Sequence, residues 1–293
     1  MNSDPALVHA TLRSAGEERP DPAATNDRLT QERVVPGLRT RWLGRALHWF
    51  EQTDSTNRVA QELARQGAAE GTAVIAEGQT AGRGRLGRSF FSPPYQNLYT
   101  SIVLRPPASP AEAPACVLAA AVAVADAVAA TVDAPEQVEI KWPNDVLLDG
   151  LKVSGILLEL GADATRIAYL VLGIGVNLNV AREAMPEEFR ARAGSLRSFL
   201  GAPVDRVDFT QRLYERLETQ LERCAAQGFA GVLPAFESWF RMRGRRVRVA
   251  GLGAEIVEGE VLGVDAAGAL RLACKDGETR VVAGDVTLLK EPA

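Results

Sequence analysis

One apolar run, residues 115–132, constrains the fold of this chain more than any other feature. Its sequence is ACVLAAAVAVADAVAATV, and Asp126 is its one charged residue. A run of this kind has to be removed from water, inside a protein or across a membrane. Small Ala and Val side chains with a charge near the middle are unusual for a membrane span, and Pro114 stands where a helix can begin. The sequence therefore predicts a buried core helix.

The composition places the chain among soluble globular proteins. Of its 293 residues 46% are hydrophobic and 24% are charged, which allows a large core. The formal net charge of -4 gives no overall basic field, so no DNA partner and no membrane partner are expected, and any anion site has to be local. An apolar targeting segment is not visible at the start of the sequence, and a cytoplasmic protein is expected.

Cysteine and histidine are too few and too scattered for several kinds of site. The three cysteines, Cys116, Cys224 and Cys274, show no paired spacing, which argues against a disulfide framework and a zinc ribbon. The two histidines are His9 and His48. Histidine-based catalytic triads and multi-histidine metal sites are therefore nearly excluded.

The pattern of short apolar segments predicts an α+β fold. Strands are predicted at 46–50, 71–76, 97–104, 138–148, 152–160 and 167–179. The dipeptide Asp149-Gly150 is typical of a tight hairpin between two of these strands. Hairpin-linked strands beside helices favour a mixed, mainly antiparallel sheet over a doubly wound parallel one.

The two ends of the chain differ from its middle. Residues 1–37 lack aromatic side chains and contain scattered prolines, which predicts a mobile leader. Helices are predicted at about 209–224, capped by Asp208 and closed by Gly228, and at 232–242. Beyond residue 244, short Val-rich pieces alternate with turns, as in a small β-barrel. The predicted units are a leader over 1–40, a main domain over 41–242 and a barrel over 243–293.

An arginine-rich loop carries the clearest functional signal. Residues 78–111 contain no Asp or Glu but include Arg83, Arg85, Arg88 and Arg105, which predicts an anion site. Three of these arginines alternate with glycines over residues 82–88, GRGRLGR. Glycine lets the backbone approach a ligand closely, and guanidinium groups bind phosphate or carboxylate. We expect this loop to be mobile without its anion and ordered with it.

Two other interpretations of this loop have to be weighed. The residues satisfy the dinucleotide fingerprint G-x-G-x-x-G, which needs a following helix and an acidic residue about twenty positions on. Ser92-Pro93-Pro94 stops a helix, and the next acidic residue is Glu112. The other alternative is a solvated arginine loop. Three arginines and three glycines within seven residues favour function.

Two further clusters supply chemistry. Lys141-Trp142-Pro143-Asn144-Asp145 places a carboxylate and an amide at a turn, and Lys141 is equally well explained as a solvated strand end. Lys152, between a tight hairpin and an apolar strand, is expected to point at an anion. Glycines 173 and 175 interrupt an apolar strand, which indicates a close backbone approach, either to a ligand or to a helix.

Taken in chain order, five motifs resemble those of biotin protein ligases. They are DSTN at 54–57, GQTAGRGRLGRSFFSP at 78–93, NLYTSIVLRP at 97–106, KWPNDVLLDGLKVSGILLE at 141–159 and GIGVNLN at 173–179. The resemblance covers the chain from about residue 43 to its end. It implies a mixed sheet backed by helices, related to class II aminoacyl-tRNA synthetases, followed by an SH3-like C-terminal barrel.

The resemblance also implies an activity. Biotin would be activated by ATP, with Mg²⁺, as biotinyl-5'-AMP and then transferred to a lysine of the biotin carboxyl carrier protein of an acyl-CoA carboxylase. The leader is too short and wrongly patterned for the winged-helix domain of bifunctional members, so a monofunctional ligase is expected. The sequence leaves the oligomeric state open, with a homodimer through paired edge strands as one alternative.

The roles of individual residues follow from the resemblance alone. The catalytic set would be Lys152, Arg85 and Asp145, with Asp145 either holding Mg²⁺ or orienting the incoming lysine. Biotin would contact Ser55, Thr56, Asn57, Gln79, Arg83, Gly84, Arg85, Lys152, Gly155 and Gly173. The adenylate and phosphates would contact Arg83, Arg85, Arg88, Lys152 and Asn177. The aromatic residue that stacks on adenine is not assigned.

Two rival functions remain open at this point. A lipoate protein ligase has a related fold and parallel chemistry, but its ligand lacks the ureido group that Ser55, Thr56 and Gln79 would bind. A sensor that holds biotin or its adenylate without transferring it is the other rival. The intact Lys152 and Asp145 argue against it.

Overall fold

The computed structural model describes residues 27–106, 112–162, 167–251 and 256–289. The helices are α1 (Gln31–Val34), α2 (Thr56–Arg65), α3 (Pro114–Val132), α4 (Glu187–Arg190), α5 (Leu196–Leu200) and α6 (Arg206–Trp239). The strands of the first sheet are β1 (Leu47–Thr53), β2 (Ala73–Gln79), β3 (Leu98–Leu104), β4 (Val138–Lys141), β5 (Asp145–Leu148), β6 (Leu151–Ala162) and β7 (Ile167–Val176). Those of the second sheet are β8 (Arg246–Ala250), β9 (Ile256–Val264), β10 (Leu270–Cys274), β11 (Gly277–Val281) and β12 (Asp285–Leu288).

The first sheet has seven strands in the order β1-β2-β3-β7-β6-β5-β4. Only β1 and β2 of this sheet pair in parallel, and the other neighbours are antiparallel. Side chains alternate between its two faces, as the pleat of a strand requires. On β3, Ile102 and Leu104 belong to the core shared with α3 and α6, whereas Val103 belongs to a smaller cluster under α2. Helices therefore cover both faces of the sheet. At β3, α3 and α6 lie on one face and α2 lies on the other.

The apolar run forms the core helix that the sequence predicts. Helix α3 begins at Pro114, and its buried residues lie on every side of the helix. By length and composition it could cross a membrane, but 67% of its apolar window is buried inside the fold. It packs against β4, β5, β6 and α6. Because these neighbours remove it from water, its apolar character is explained by the protein core.

Two predicted elements differ in detail from the structure. The predicted strand 138–148 is two antiparallel strands, β4 and β5, because the chain turns at Trp142–Asn144 through a cis Trp142–Pro143 peptide bond. The helix predicted to be capped by Asp208 is instead capped by Asp205, whose Oδ1 accepts from the backbone N–H of Val207 and of Asp208 at 2.9 and 3.0 Å. Gly228, with φ +64°, breaks α6 where the sequence predicts an end.

The second sheet has five antiparallel strands in the order β11-β10-β9-β8-β12. It contacts the first unit through Trp142, whose Nε1 donates to the Gly268 carbonyl at 3.0 Å, and through Arg245, which pairs with Glu139 at 3.2 Å. The predicted fold class is confirmed: a mainly antiparallel mixed sheet backed by helices, followed by a small antiparallel β unit. The exact unit boundaries at 40 and 242 stay predictions.

The prediction of a mobile leader is wrong for residues 27–37. Leu29 and Val34 are fully buried, and the Leu29 N–H donates to Glu77 Oε1 at 2.7 Å. Asp27 pairs at 2.7 Å with Arg206, a fully buried side chain that also pairs with Glu77 at 2.9 Å. Apolar contacts and a buried ion network hold this segment to the fold. Residues 1–26 lie outside the described residues.

Candidate functional site

A narrow slot lies on the α2 face of the first sheet. Helix α2 begins at one of its walls, and glycines of β6 and β7 form its floor. The slot encloses a cavity of about 30 Å³, roughly the space of one water molecule. Its lining consists of Ser55, Thr56, Asn57, Gln79, Arg83, Phe90, Tyr99, Thr100, Gly155, Leu157, Gly173, Ile174 and Gly175.

The start of α2 supplies the uncharged polar groups of the slot. Ser55 takes the N-cap position of α2, and Thr56 follows as its first residue. The Thr56 N–H and Oγ1 both donate to Gln79 Oε1, at 2.9 and 3.1 Å, and Gln79 Nε2 donates to Ser92 Oγ at 3.0 Å. Ser55 and Thr56 are buried. The structure thus brings Gln79 together with Ser55 and Thr56, although 23 positions separate Thr56 from Gln79 in the sequence.

Asn57 is held from several sides. Its Nδ2 donates to Glu159 Oε2 at 2.8 Å, and its Oδ1 accepts from Ser101 Oγ at 2.6 Å. A Cβ at Gly173 would lie 2.1 Å from Asn57 Oδ1, a distance that real atoms do not allow. Gly173 therefore provides the close approach of a helix residue to the strand, inside the slot itself.

The arginine-rich loop forms a tight hairpin over the slot. The Phe90 N–H donates to the Gly82 carbonyl at 2.8 Å, and the Gly84 N–H to the Arg88 carbonyl at 2.7 Å. At its tip Leu86 has φ +55° and is 56% exposed. A Cβ at Gly82 would meet the Phe90 carbonyl oxygen at 2.4 Å, so this hairpin needs glycine at its base.

Each arginine of the hairpin has a different partner. Arg83 pairs with Glu159 at 2.9 Å. Arg85 donates to Asn144 Oδ1 at 2.8 Å and to the Gly284 carbonyl at 3.0 Å, and burial lowers the pKa of its guanidinium. Arg88 pairs with Asp285 of β12. The loop therefore connects the slot to the second sheet.

Asp285 carries an altered pKa because of this loop. Burial by itself would raise the pKa of the carboxyl group. The hydrogen bond from Arg88 and the charges of Arg88, Lys141 and Arg85 outweigh burial and lower that pKa below its ordinary value. The carboxylate is thus the charged form in the structure, and it faces the cations of the loop.

Arg105 does not belong to the site. Its guanidinium donates to the carbonyls of Ala64, Ala68 and Ala168, at 2.8 to 3.0 Å. It satisfies carbonyl groups at the C-terminal end of α2 and on β7. The prediction that it contributes to the anion site is wrong, because its charge is engaged by backbone away from the slot.

Lys152 lies at the edge of the slot. Its Nζ is 2.6 Å from Asp145 Oδ1, across the β5–β6 hairpin. A Cβ at Gly155 would come within 3.0 Å of Nζ, so this glycine gives the ammonium group its space. The neighbouring Asn144 donates from Nδ2 to the Ile156 carbonyl at 2.9 Å and accepts from Arg85. Two cations, a carboxylate and an amide thus converge here.

Asn177 is not among the residues that line the slot. Its Nδ2 donates to the Gly194 carbonyl at 3.0 Å, and its backbone N–H to the Val153 carbonyl at 2.8 Å. These contacts bind Asn177 to backbone carbonyl groups, one of them on β6, the strand that contains Lys152. Its contact with the adenylate stays a prediction.

The described residues contain no group of three or more His, Cys, Asp or Glu that could hold a metal ion. Asp145 is the carboxylate that pairs with Lys152 at the edge of the slot. A single carboxylate fits Mg²⁺ when the phosphates of a bound nucleotide supply other ligands. The donor set therefore fits a metal that arrives with the nucleotide.

Comparison with known proteins decides the family. Residues 49–177 match the Biotin/lipoate A/B protein ligase family, and residues 244–289 match the Biotin protein ligase C terminal domain. The bifunctional ligase/repressor BirA of Bacillus spizizenii is 34% identical over 261 residues, which cover 89% of this chain and 79% of that protein. This chain belongs to the biotin protein ligase family.

Other relatives in the biotin protein ligase family agree with this assignment. The biotin–[acetyl-CoA-carboxylase] ligase of Mycobacterium tuberculosis is 34% identical over 279 residues, which cover 90% of this chain and 98% of that protein. Among solved structures, a biotin protein ligase from Aquifex aeolicus in complex with biotin and ATP superposes with a TM-score of 0.72 at 30% identity. The match covers 84% of this chain and 100% of that one.

Several residues of this ligase site were not identified from the sequence. Phe90 packs over the floor: its ring would lie 2.6 Å from a Cβ at Gly175, and it meets Tyr99 edge-on with centroids 6.3 Å apart. An aromatic pair directly after the arginine-rich loop was the available signal for Phe90. Glu159 ends a recognised motif, whereas Asp285 has no local signal, since it lies 197 positions from Arg88.

Proposed function

We propose that this ligase activates biotin with ATP as biotinyl-5'-AMP and transfers the biotinyl group to one lysine of a carrier protein. One observation carries the proposal: uncharged hydrogen-bonding groups and a cation both border the slot. Thr56 and Gln79 belong to its lining, and the Lys152 ammonium group lies beside Gly155 of its floor. Biotin carries the matching groups, a neutral ureido ring and an anionic carboxylate.

In the first step, a carboxylate oxygen of biotin forms a bond to the α-phosphorus of ATP, and the bond to pyrophosphate breaks. Two anions have to approach each other, so cations at the reacting end lower the barrier. Lys152 is the leading candidate for the catalytic cation, since its ammonium group lies beside the slot and next to Asp145. Arg85 is a second, held by Asn144 and by the Gly284 carbonyl.

In the second step, the amine of the acceptor lysine attacks the biotinyl carbonyl carbon and AMP leaves. The acceptor nitrogen loses a proton in forming the amide. Until that lysine arrives, the mixed anhydride has to be kept from water. The hairpin of residues 82–90, which includes Gly84 and Arg88, is proposed to cover it; its backbone hydrogen bonds support this role. Ser55, Asn57, Gly155 and Gly173 shape the slot beneath.

Mg²⁺ would enter with ATP and neutralise phosphate charge. Its protein ligand is proposed to be Asp145. The 2.6 Å contact between Asp145 and Lys152 also supports a role in positioning the lysine side chain. The other role expected of Asp145 is to orient the acceptor lysine. In that case, replacing Asp145 would impair transfer and leave adenylation intact.

The acceptor is proposed to be the biotin carboxyl carrier protein of an acyl-CoA carboxylase, in the cytoplasm. Relatives named biotin–[acetyl-CoA-carboxylase] ligase support this choice. That the ligase acts without repressor function stays a prediction. Homodimer formation stays a prediction, with β1 and β4 as the edge strands of the first sheet.

A labelling assay tests the function. The purified chain is incubated with biotin, ATP, Mg²⁺ and a carrier domain, and the carrier mass is measured. One biotinyl group on one lysine is expected, and a carrier with that lysine changed to Arg stays unlabelled. Preferential attachment of lipoate would establish the lipoate ligase instead, and biotin binding without labelling would establish a sensor.

A further inference from the structure

Glu159 is a partly buried carboxylate that contacts two lining residues of the slot, Asn57 and Arg83, and has no role assigned so far. It follows Gly155 and Leu157 at alternate positions of β6, so all three side-chain positions share the face that carries the slot. Its side chain is 19% exposed. A carboxylate this enclosed requires hydrogen-bond or ion-pair partners.

The two oxygens of Glu159 contact two different elements. Oε2 accepts from Asn57 Nδ2 at 2.8 Å, and Oε1 pairs with Arg83 NH1 at 2.9 Å. Asn57 is itself fixed, because Ser101 donates to it and the floor at Gly173 leaves it no room. Glu159 is therefore the rigid side of the ion pair, whereas Arg83, with its side chain 52% exposed, is the movable side.

Because Arg83 lies at the base of the hairpin, this ion pair also holds the hairpin in place. Arg83 is bridged to Ser89 at the base of the hairpin. The other arm of the base is tied through Ser92, whose Oγ donates to the Phe90 carbonyl and accepts from Gln79. One arm is thus held by Gln79 through Ser92, and the other by Glu159 through Arg83.

We propose that Glu159 is a positioning residue: its carboxylate holds Arg83 over the slot and keeps the hairpin closed on bound biotinyl-adenylate. The pair engages one terminal nitrogen of Arg83, and a guanidinium has five N–H donors, so other donors remain to face a ligand. The carboxylate also offsets the positive charge of Arg83. This inference rests on the proposed function, since it concerns the lifetime of the proposed intermediate.

The test compares Glu159→Gln with the unchanged enzyme. The amide side chain can still accept from Asn57, but it loses the charge that attracts Arg83. Release of preformed biotinyl-adenylate into a chase of unlabelled ligand is expected to become about fivefold faster, and KM for biotin to rise by a similar factor. The kcat of pyrophosphate release is expected to stay within about twofold, because the cations that act on the α-phosphate are unchanged.

Three further variants make the result specific. The double variant Arg83→Ala, Glu159→Gln is expected to release the adenylate no faster than Arg83→Ala alone, since the two residues act as one unit. Glu159→Asp, which keeps the charge, is expected to recover part of the lifetime. Glu62→Gln is the control, because it removes a Glu–Arg pair of the same length, 2.9 Å to Arg65, on the exposed surface of α2.

Unchanged release in a folded Glu159→Gln variant, additive effects in the double variant, or slower release would each overturn the inference. Slower release would mean that Glu159 competes with the ligand for Arg83. If Glu159→Gln fails to fold, the release rates of biotinyl-adenylate from Glu159→Asp and from Arg83→Ala are compared instead. Failure of the unchanged enzyme to form biotinyl-adenylate would instead refute the proposed function.

Discussion

Lys152 is the single side chain on which the proposed chemistry depends most. Its side chain is 35% exposed and its ammonium group is paired with Asp145 at 2.6 Å, so its contribution to folding is small, about 1 kcal/mol or less. Its contribution to catalysis is larger, because charge builds up between two anions in the transition state.

We predict that Lys152→Ala slows biotin-dependent pyrophosphate release about 100-fold. The melting temperature should fall by less than about 4 °C. The two quantities are measured on the same preparation. A rate loss below about tenfold would contradict the catalytic role, and a large drop in melting temperature would indicate a structural one.

Gly173 is predicted to be required for the shape of the slot. In Gly173→Ala the new Cβ would lie 2.1 Å from Asn57 Oδ1, so Asn57 has to leave its contacts with Ser101 and Glu159. We expect a loss of about 1–3 kcal/mol in unfolding free energy and a raised KM for biotin. Gly231→Ala is the control, because its Cβ would lie 2.7 Å from the Gln227 side chain, a clash within α6 and outside the lining of the slot. Equal biotin KM values in the two variants would refute this role.

At the residue level, the sequence predicted cations better than it predicted their partners. Arginines between glycines are unusual, so the loop could be identified from the residues themselves. Ser55, Thr56 and Gln79 were assigned only through the family resemblance. Glu159 and Asp285 were missed because a single carboxylate carries no spacing pattern, and its meaning depends on which cation the fold brings to it.

Among the elements, the segment 27–40 shows how far composition can mislead. The sequence predicted mobility because the segment is polar and lacks aromatic residues. Three of its aliphatic side chains, Leu29, Val34 and Leu38, are nevertheless buried. The partners that bury them come from β2 and α6, which lie far away in sequence. Local composition cannot reveal such contacts.

Truncation tests the importance of this segment. We predict that a chain without residues 1–37 unfolds at a lower temperature than one without residues 1–26, by about 6 °C or more. The longer deletion removes Leu29 and Val34, worth about 1.5–3 kcal/mol each, and leaves the buried Arg206 without Asp27. Thermal unfolding of both chains at one pH measures the difference. Equal melting temperatures would show that the packed segment contributes nothing.

Elements with a strong periodic pattern were predicted well. Helix α3, the β5–β6 hairpin and the break at Gly228 follow from apolar runs and from Gly at a turn or helix end. The strand predicted at 138–148 joined β4 and β5, although the motif 141–145 indicated a turn, because only three residues separate the two strands. The order of strands in the sheet depends on long-range pairing, such as β3 with β7, which no local pattern encodes.

For the whole molecule, stability is predicted to decrease in acid. Glu218 of α6 accepts from the backbone N–H groups of Arg41, Trp42 and Leu43 at 2.8 to 3.1 Å. Burial opposes ionisation, but these donors outweigh it and lower the pKa of Glu218 below its ordinary value of 4.5. Its contribution is therefore complete above pH 4.5 and is lost as the pH falls through the lower, folded-state pKa.

The measurement is the melting temperature as a function of pH. The contribution of Glu218 to the melting temperature should be constant above about pH 5 and should decrease below about pH 4. Glu218→Gln should lower the melting temperature at pH 7 and should flatten the acid limb of the curve. An acid limb of unchanged slope in that variant would show that Glu218 is not one of the groups responsible.

The two sheets of the molecule meet at the proposed reaction site. The hairpin of residues 82–90 belongs to the first unit, but Arg88 pairs with Asp285 of β12 and Arg85 donates to the neighbouring Gly284 carbonyl. A loop held from both units loses less conformational entropy when it closes over a ligand.

We predict that Asp285→Asn releases biotinyl-adenylate several-fold faster, although Asp285 lies outside the lining of the slot. Glu278→Gln is the matched control, because Glu278 pairs with Arg271 at 2.6 Å on the same sheet, away from the hairpin. Equal release rates in the two variants would mean that the second sheet supports the fold without acting on the intermediate.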